Sequence, residues 1–279
     1  MNLSALKELP LGVYEKAISN HLPWEEKFLV AKRAGFDYVE ISIDGTPERL
    51  KRLYDKKDIH EIRDVMEHTG MPVYTMALTA NRYYPLGSED PKIREEGIEL
   101  VRRAIDFAEE LDIQVIHLAA YDELGDKAND RTKYLFRESV AQCANMAEGH
   151  APYLALETMD TPFMGSCTNI VRLCREIGSE KLRCYADIGN MTALGLDPAQ
   201  ELPVGGQWIA GIHLKDARPG VCRDIPFGEG TVDFEKSLQV LQEMDYNGYM
   251  TAEMWSYDDE SFHDYLKTAS QFLRDKLSK

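Results

Sequence analysis

The chain has 279 residues, 44% of them hydrophobic and 29% charged, with a formal net charge of −16. This is the balance of a soluble globular protein with a sizeable core, and the negative excess opposes phosphate backbones and anionic lipid. Nucleic-acid and membrane-surface roles therefore start at a disadvantage, while a small phosphorylated substrate held by a few local cations does not.

Strand and helix signals alternate along the chain. Residues 11–14 read as a first short strand, and a helix opening at 22–26 runs toward Ala34 with Gly35 as its stop. The second strand is 36–43, a helix over 59–69 stops at Gly70, and the third strand is 72–78. Asp90-Pro91 opens a helix with apolar spacing over 93–111, ahead of a fourth strand at 113–118. A polar loop at 122–130 and a helix to about Gly149 lead to the fifth strand, 154–157. Ser166 or Thr168 caps the next helix, the sixth strand is 182–187, and 189–207 reads as loop with room for a short helix. Strand seven closes at His213, Asp233 caps a helix through Met244, strand eight ends at Trp255, and 261–277 is a closing helix. Eight such units without a linker, repeat or composition break predict an α/β fold, a single (β/α)8 TIM barrel spanning 1–279 as one domain. The five cysteines form no Cys-x-x-Cys and read as reduced thiols. Met1 to Ser4 opens no signal peptide, and no apolar run reaches membrane-spanning length, so a cytoplasmic location is expected.

Four consecutive apolar runs each close on a possible metal ligand: Glu157, Asp187, His213 and Glu253. Strand alternation that turns Glu157 inward also turns Tyr153 and Ala155 inward and sends Leu154 and Leu156 to the helices. The same count sends Ala186, Ile212, Leu214, Ala252 and Met254 outward. Any one of the four polar tips, taken alone, is more often a solvated strand end or an ion-pair partner. Together, three carboxylates at one barrel mouth repel one another unless a cation lies between them. With one imidazole they make a hard site for one divalent metal ion, Mn²⁺, Zn²⁺, Co²⁺ or Mg²⁺.

The segments 156–157, 186–190, 211–216, 226–230 and 252–255 resemble the xylose-isomerase-like barrel superfamily. With 10–16 and 85–90 added, the chain is most similar to its sugar-phosphate 3-epimerases, in particular the L-ribulose-5-phosphate (L-xylulose-5-phosphate) 3-epimerases. The resemblance implies a ketopentose phosphate substrate, in pentose or ascorbate catabolism, whose C2 carbonyl and C3 hydroxyl oxygens chelate the metal. C3 would then lose its proton to give a metal-stabilised cis-enediolate. It implies Glu157 and Glu253 as an acid/base pair on opposite faces of the sugar, all four residues as ligands, and a homodimer or homotetramer. Free-ketose 3-epimerases place a histidine where this chain has Asn190 and a glutamate shortly after the first ligand, where 158–163 has none. That departure favours the phosphorylated substrate.

The loop after strand seven supplies Lys215 and Arg223 as substrate contacts. Arg223 stands where relatives place a substrate-contacting arginine, and is weighed evenly between a phosphate partner and a surface arginine paired with Asp224 or Glu229. Arg218 reads as surface. Glu40 is either an inward carboxylate near the substrate or, preferred, a partner for Lys16 or Arg82. His117 lines the pocket or is a satisfied core histidine, the commoner fate. Tyr14, Asn81 and Trp255 could pack against the sugar, though such residues at a barrel mouth are often only packing. His21, His60, His68, His150 and His263 fall in helices or loops. Four other functions compete. They are an aldose–ketose isomerase, a free-ketose 3-epimerase, a histidine-rich metal-dependent endonuclease and a non-catalytic sugar-binding barrel. The hydride-shift isomerase usually needs a second metal, for which no clear carboxylate set is found.

Overall fold

The computed structural model describes residues 4–256 and 261–278. Residues 1–3, part of the leader reading, lie outside them. Eight parallel strands close in sequence order: β1 (Leu11–Tyr14), β2 (Tyr38–Ile43), β3 (Thr75–Leu78), β4 (Val115–Ala119), β5 (Tyr153–Glu157), β6 (Leu182–Asp187), β7 (Ile209–Leu214) and β8 (Tyr249–Ala252). β8 returns to β1 with Leu11 beside Met250 and Val13 beside Ala252, so no sheet edge is left among them. Helices cover the outside, and none is long and apolar enough to cross a membrane.

The helix ends follow local chemistry. Gly35 and Gly70 close their helices in the left-handed region. Asp90, Ser166 and Asp233 cap helices with their side chains, Ser166 rather than Thr168 serving the fifth unit. Three places differ from the sequence reading. β8 stops at Ala252 rather than Trp255, so Glu253 stands just beyond the ladder, tied by one backbone bond to Leu214. The stretch read at 189–207 as loop with room for one short helix carries two, Ile188–Ala193 and Pro198–Gly205, each capped by the aspartate before it. Its Gly and Pro residues mask that signal. A short helix, Pro47–Lys51, also follows β2.

Side-chain alternation holds around the ring. Leu154, Leu156, Ala186, Ile212, Leu214 and Ala252 join the core between strands and helices, while Ala155 packs inside with Val115 and Tyr185. Tyr153, at the amino-terminal end of β5, is exposed beneath the Arg183 guanidinium. The barrel interior is filled by tyrosines. Tyr38 and Tyr185 are fully buried, and each ring fits because a glycine faces it. A Cβ on Gly12 would lie 2.2 Å from the Tyr38 ring, and one on Gly211 2.3 Å from the Tyr185 ring. Gly12→Ala or Gly211→Ala should therefore cost about 1–3 kcal/mol by overpacking. Urea unfolding reads this directly, and an unchanged midpoint would show that the rings move aside.

Candidate active site

The carboxyl ends of β5, β6 and β7 and the residue after β8 bring Glu157, Asp187, His213 and Glu253 together. One ligand atom from each lies within 4.8 Å of the others, and all four side chains are buried. Asp187 serves two purposes. Its Oδ1 caps the following helix by accepting from the Gly189 and Asn190 amides at 2.8 and 2.9 Å. Its Oδ2 is left facing the other three residues. Lys215 reaches into the group, its Nζ 2.6 Å from both Asp187 Oδ2 and Glu253 Oε2 and 2.8 Å from Asn190 Oδ1. Despite those ionic contacts, the two carboxylate oxygens are buried without a well-formed hydrogen bond. A hard cation suits such oxygens better than a neutral donor does.

Burial, together with the charges of Glu253 and Glu157, pushes the Asp187 carboxyl up to about 7, with Lys215 and His213 only partly offsetting them. Against the same burial, His117, His213 and Lys215 hold the Glu157 and Glu253 carboxyls down instead, so the group gathers ionised oxygens around Asp187, a donor set that fits a divalent ion.

Beneath this group lie Glu40 and His117, both fully buried. Glu40 pairs with neither Lys16, which meets Asp44, nor Arg82, whose guanidinium lies over the Tyr121 ring. Instead Glu40 Oε1 lies 2.7 Å from His213 Nε2. His117 stacks on Tyr185 at 4.3 Å, its Nε2 3.2 Å from the same Glu40 oxygen and its Nδ1 3.6 Å from Glu157, without hydrogen-bond geometry to either. It is neither solvated nor satisfied.

At the rim, Tyr14 meets Trp255 edge-on at 6.4 Å, and Arg223 lies 4.6 Å over the Trp255 ring. Among the described residues Arg223 pairs with neither Asp224 nor Glu229, while Arg218 binds the Glu229 carbonyl. Asn81 is buried in the turn after β3 with its Oδ1 unpartnered. His21, His60, His68 and His263 are exposed and His150 half-buried, all away from the group. A groove of about 800 Å³ between the Pro91–Glu110 and Asp130–Met146 helices is also remote from the strand ends.

Residues 28–276 match the family described as Xylose isomerase-like TIM barrel. The chain belongs to that family. It is 38% identical over 274 residues to the L-ribulose-5-phosphate 3-epimerase UlaE of Salmonella paratyphi A, covering 98% of this chain and 96% of that one. It is 40% identical over 256 residues to the protein of the same name from Salmonella heidelberg, covering 91% and 90%. The solved D-allulose 3-epimerase from Methylomonas sp. is similar with a TM-score of 0.79 at 20% identity, covering 96% and 97%, a likeness of fold.

Several residues that shape the site of this xylose isomerase-like barrel escaped the sequence reading. Thr158 accepts from the Asp187 amide at 2.8 Å and, through its carbonyl, holds Asn190. Asp216 accepts from the amides of Ala217, Gly228 and Gly230 and so staples the loop that carries Arg223. The glycines at 228 and 230 were visible in the sequence, but their common acceptor was not. After β1, Glu15 is fully buried with Arg52 at 2.7 Å, Lys27 at 3.0 Å and Arg49 at 3.6 Å. With Lys16 and Asp44 this group holds four cations to two anions, and Arg49 Nη1 is buried without a partner.

Burial alone would raise the Glu15 carboxyl, but Arg52, Lys27 and Arg49 override it and hold it well below the usual carboxylate range. A carboxyl depressed on folding stabilises above its unfolded pKa, about 4.3, and loses that contribution as pH falls below it. Glu15→Gln should cost about 3–5 kcal/mol near neutral pH, because it strands the cations. It should also flatten the acid limb of stability. Urea unfolding across acidic pH tests both; parallel pH profiles for the two proteins would contradict the assignment.

Proposed function

We propose that the protein is a metal-dependent sugar-phosphate 3-epimerase, an isomerase that inverts C3 of a pentulose 5-phosphate of the L-ribulose/L-xylulose pair. The observation that carries the reading is the convergence of Glu157 and Glu253 with Asp187 and His213 on one cluster, in a chain whose curated relatives are named as that epimerase. Glu157, Asp187, His213 and Glu253 would hold the ion, which when bound polarises a ketose carbonyl and the adjoining hydroxyl and makes C3–H acidic. Mn²⁺, Zn²⁺, Co²⁺ and Mg²⁺ all suit the donor set.

The chain's own part is proton transfer and orientation. β5 and β8 stand three strands apart around the ring, so Glu157 and Glu253 reach the centre from different sides. Inversion requires that arrangement: one carboxylate removes a proton from one face and the other returns a proton to the opposite face. Lys215 and Asn190, linked to each other and to Asp187, are positioned to bind the sugar's oxygens, and Tyr14 and Trp255 to cover its carbon face. For the 5-phosphate, Arg223 is the rim candidate. The cation surplus around Arg49 and Lys16 is the better host, because it combines excess charge with a buried unpartnered N–H. The reading extends to one domain over 1–279, a cytoplasmic enzyme of pentose or ascorbate catabolism, and a homodimer or homotetramer that size-exclusion chromatography would reveal.

A hydride-shift isomerase is disfavoured. The other cluster of ligand types, Glu40, His117 and His213, shares His213 with the first, and Glu40 is already bonded to Thr75 and Tyr185. Metal-reconstituted enzyme should epimerise one pair from a panel of D- and L-pentulose 5-phosphates, with deuterium entering at C3 in deuterated water. Glu157→Gln and Glu253→Gln should each lower kcat about 10²–10⁴-fold, and a chelator should abolish turnover reversibly. Exchange at C1 or C2, or full activity in the double glutamine variant, would overturn the assignment.

A further inference from the structure

We infer that Glu40 is a positioning residue: when the quartet holds its ion, it fixes the His213 imidazole as the Nε2–H tautomer and so leaves the Nδ1 lone pair for the metal. The inference rests on the quartet reading and adds a residue from the other side of the barrel. The two faces of the ring are unlike. On the Nδ1 side stand Glu157 Oε1 at 2.9 Å, Glu253 Oε2 at 3.6 Å and Asp187 Oδ2 at 3.9 Å, the oxygens between which an ion fits. On the Nε2 side Glu40 Oε1, at 2.7 Å, is the carboxylate oxygen in contact. Both ring nitrogens lie within hydrogen-bond distance of a carboxylate, Nδ1 of Glu157 and Nε2 of Glu40, but Glu157 belongs to the quartet and Glu40 does not. With an ion held by the quartet, Glu40, which as a carboxylate can only accept, keeps the proton on Nε2 and leaves Nδ1 to the metal.

Glu40 itself is immobilised. Its Oε2 accepts from Thr75 Oγ1 at 2.6 Å and Tyr185 Oη at 2.8 Å, and the Thr251 hydroxyl at 3.4 Å links the group to Tyr38 Oη. Strands β2, β3, β6 and β8 thus supply a rigid floor of hydrogen bonds, all buried, for the single imidazole on β7. His117 does not compete for the role, because its approach to Glu40 lacks hydrogen-bond geometry.

The test compares wild type with Glu40→Leu and Glu40→Gln, measuring Zn²⁺ affinity by chelator competition, metal-free melting temperature, and the His213 tautomer by long-range ¹⁵N–¹H NMR of the zinc-loaded protein. Wild type should show Nε2–H. Glu40→Leu should lose about 10–100-fold in Zn²⁺ affinity, and Glu40→Gln, whose amide oxygen still accepts, should recover most of it. A purely structural Glu40 would instead lower the melting temperature of both variants and leave Zn²⁺ affinity and tautomer alone. Should Glu40→Leu fail to fold, the wild-type tautomer still decides, and Nδ1–H there overturns the inference. Absence of Zn²⁺ binding in wild type, or affinity unchanged in Asp187→Ala, would sink the quartet reading itself. Tight wild-type binding with Glu40→Leu within threefold sinks only the role of Glu40.

Discussion

Densely buried negative charge at the carboxyl end of the barrel is the constraint around which this molecule is arranged. Glu40, Glu157, Asp187 and Glu253 are all buried within one connected group, and among the described residues Lys215 is the single obligate cation in direct contact with it. Carboxylates taken out of water at such density are tolerated only when hydrogen bonds and cations replace the lost hydration. The fold supplies part of that replacement through the amides that cap Asp187, the hydroxyls on Glu40 and the two imidazoles. It leaves Asp187 Oδ2 and Glu253 Oε2 without hydrogen bonds. Those two atoms and their neighbours are where the proposed ion would be held.

The tyrosine-filled interior makes the arrangement stiff. Tyr38, Tyr74 and Tyr249 pack against one another in the barrel. The hydroxyls of Tyr38 and Tyr185 rise to meet Thr251 and Glu40. Apolar bulk and polar satisfaction are therefore provided by the same rings, which need Gly12 and Gly211 opposite them to fit. A barrel packed with aliphatic side chains would fill the space as well, but would leave Glu40 without donors. Charge follows the same economy on a larger scale. In a chain of net charge −16, the cations around Glu15 gather beside β1 and β2, next to the site rather than spread over the surface.

Much of this was legible in the residues alone, because strand and helix periodicity is a local property and a closed parallel barrel is the compact way to bury eight apolar strands in this order. The eight strands, the caps at Asp90 and Asp233, and the ligand-type residue closing each of four consecutive runs needed no coordinates, whereas the choice of Ser166 over Thr168 did. Of the two helices within 189–207 only one had been allowed for, because the glycines and prolines there also signal loop. The end of β8 was overrun because Met254 and Trp255 are apolar enough to continue a strand that has lost its neighbour.

What the sequence by itself determined is the order of elements and the kind of chemistry the strand ends can support, since both depend on residues near one another in the chain. What the tertiary structure alone decided is which distant charges meet. Glu40 was expected to face Lys16 or Arg82, yet it bonds to His213, 173 positions away. Lys16 goes to Asp44, and Arg49 and Arg52 to Glu15. Ion pairs and hydrogen bonds act over a few ångströms in space, and only ring closure sets which side chains come within that range.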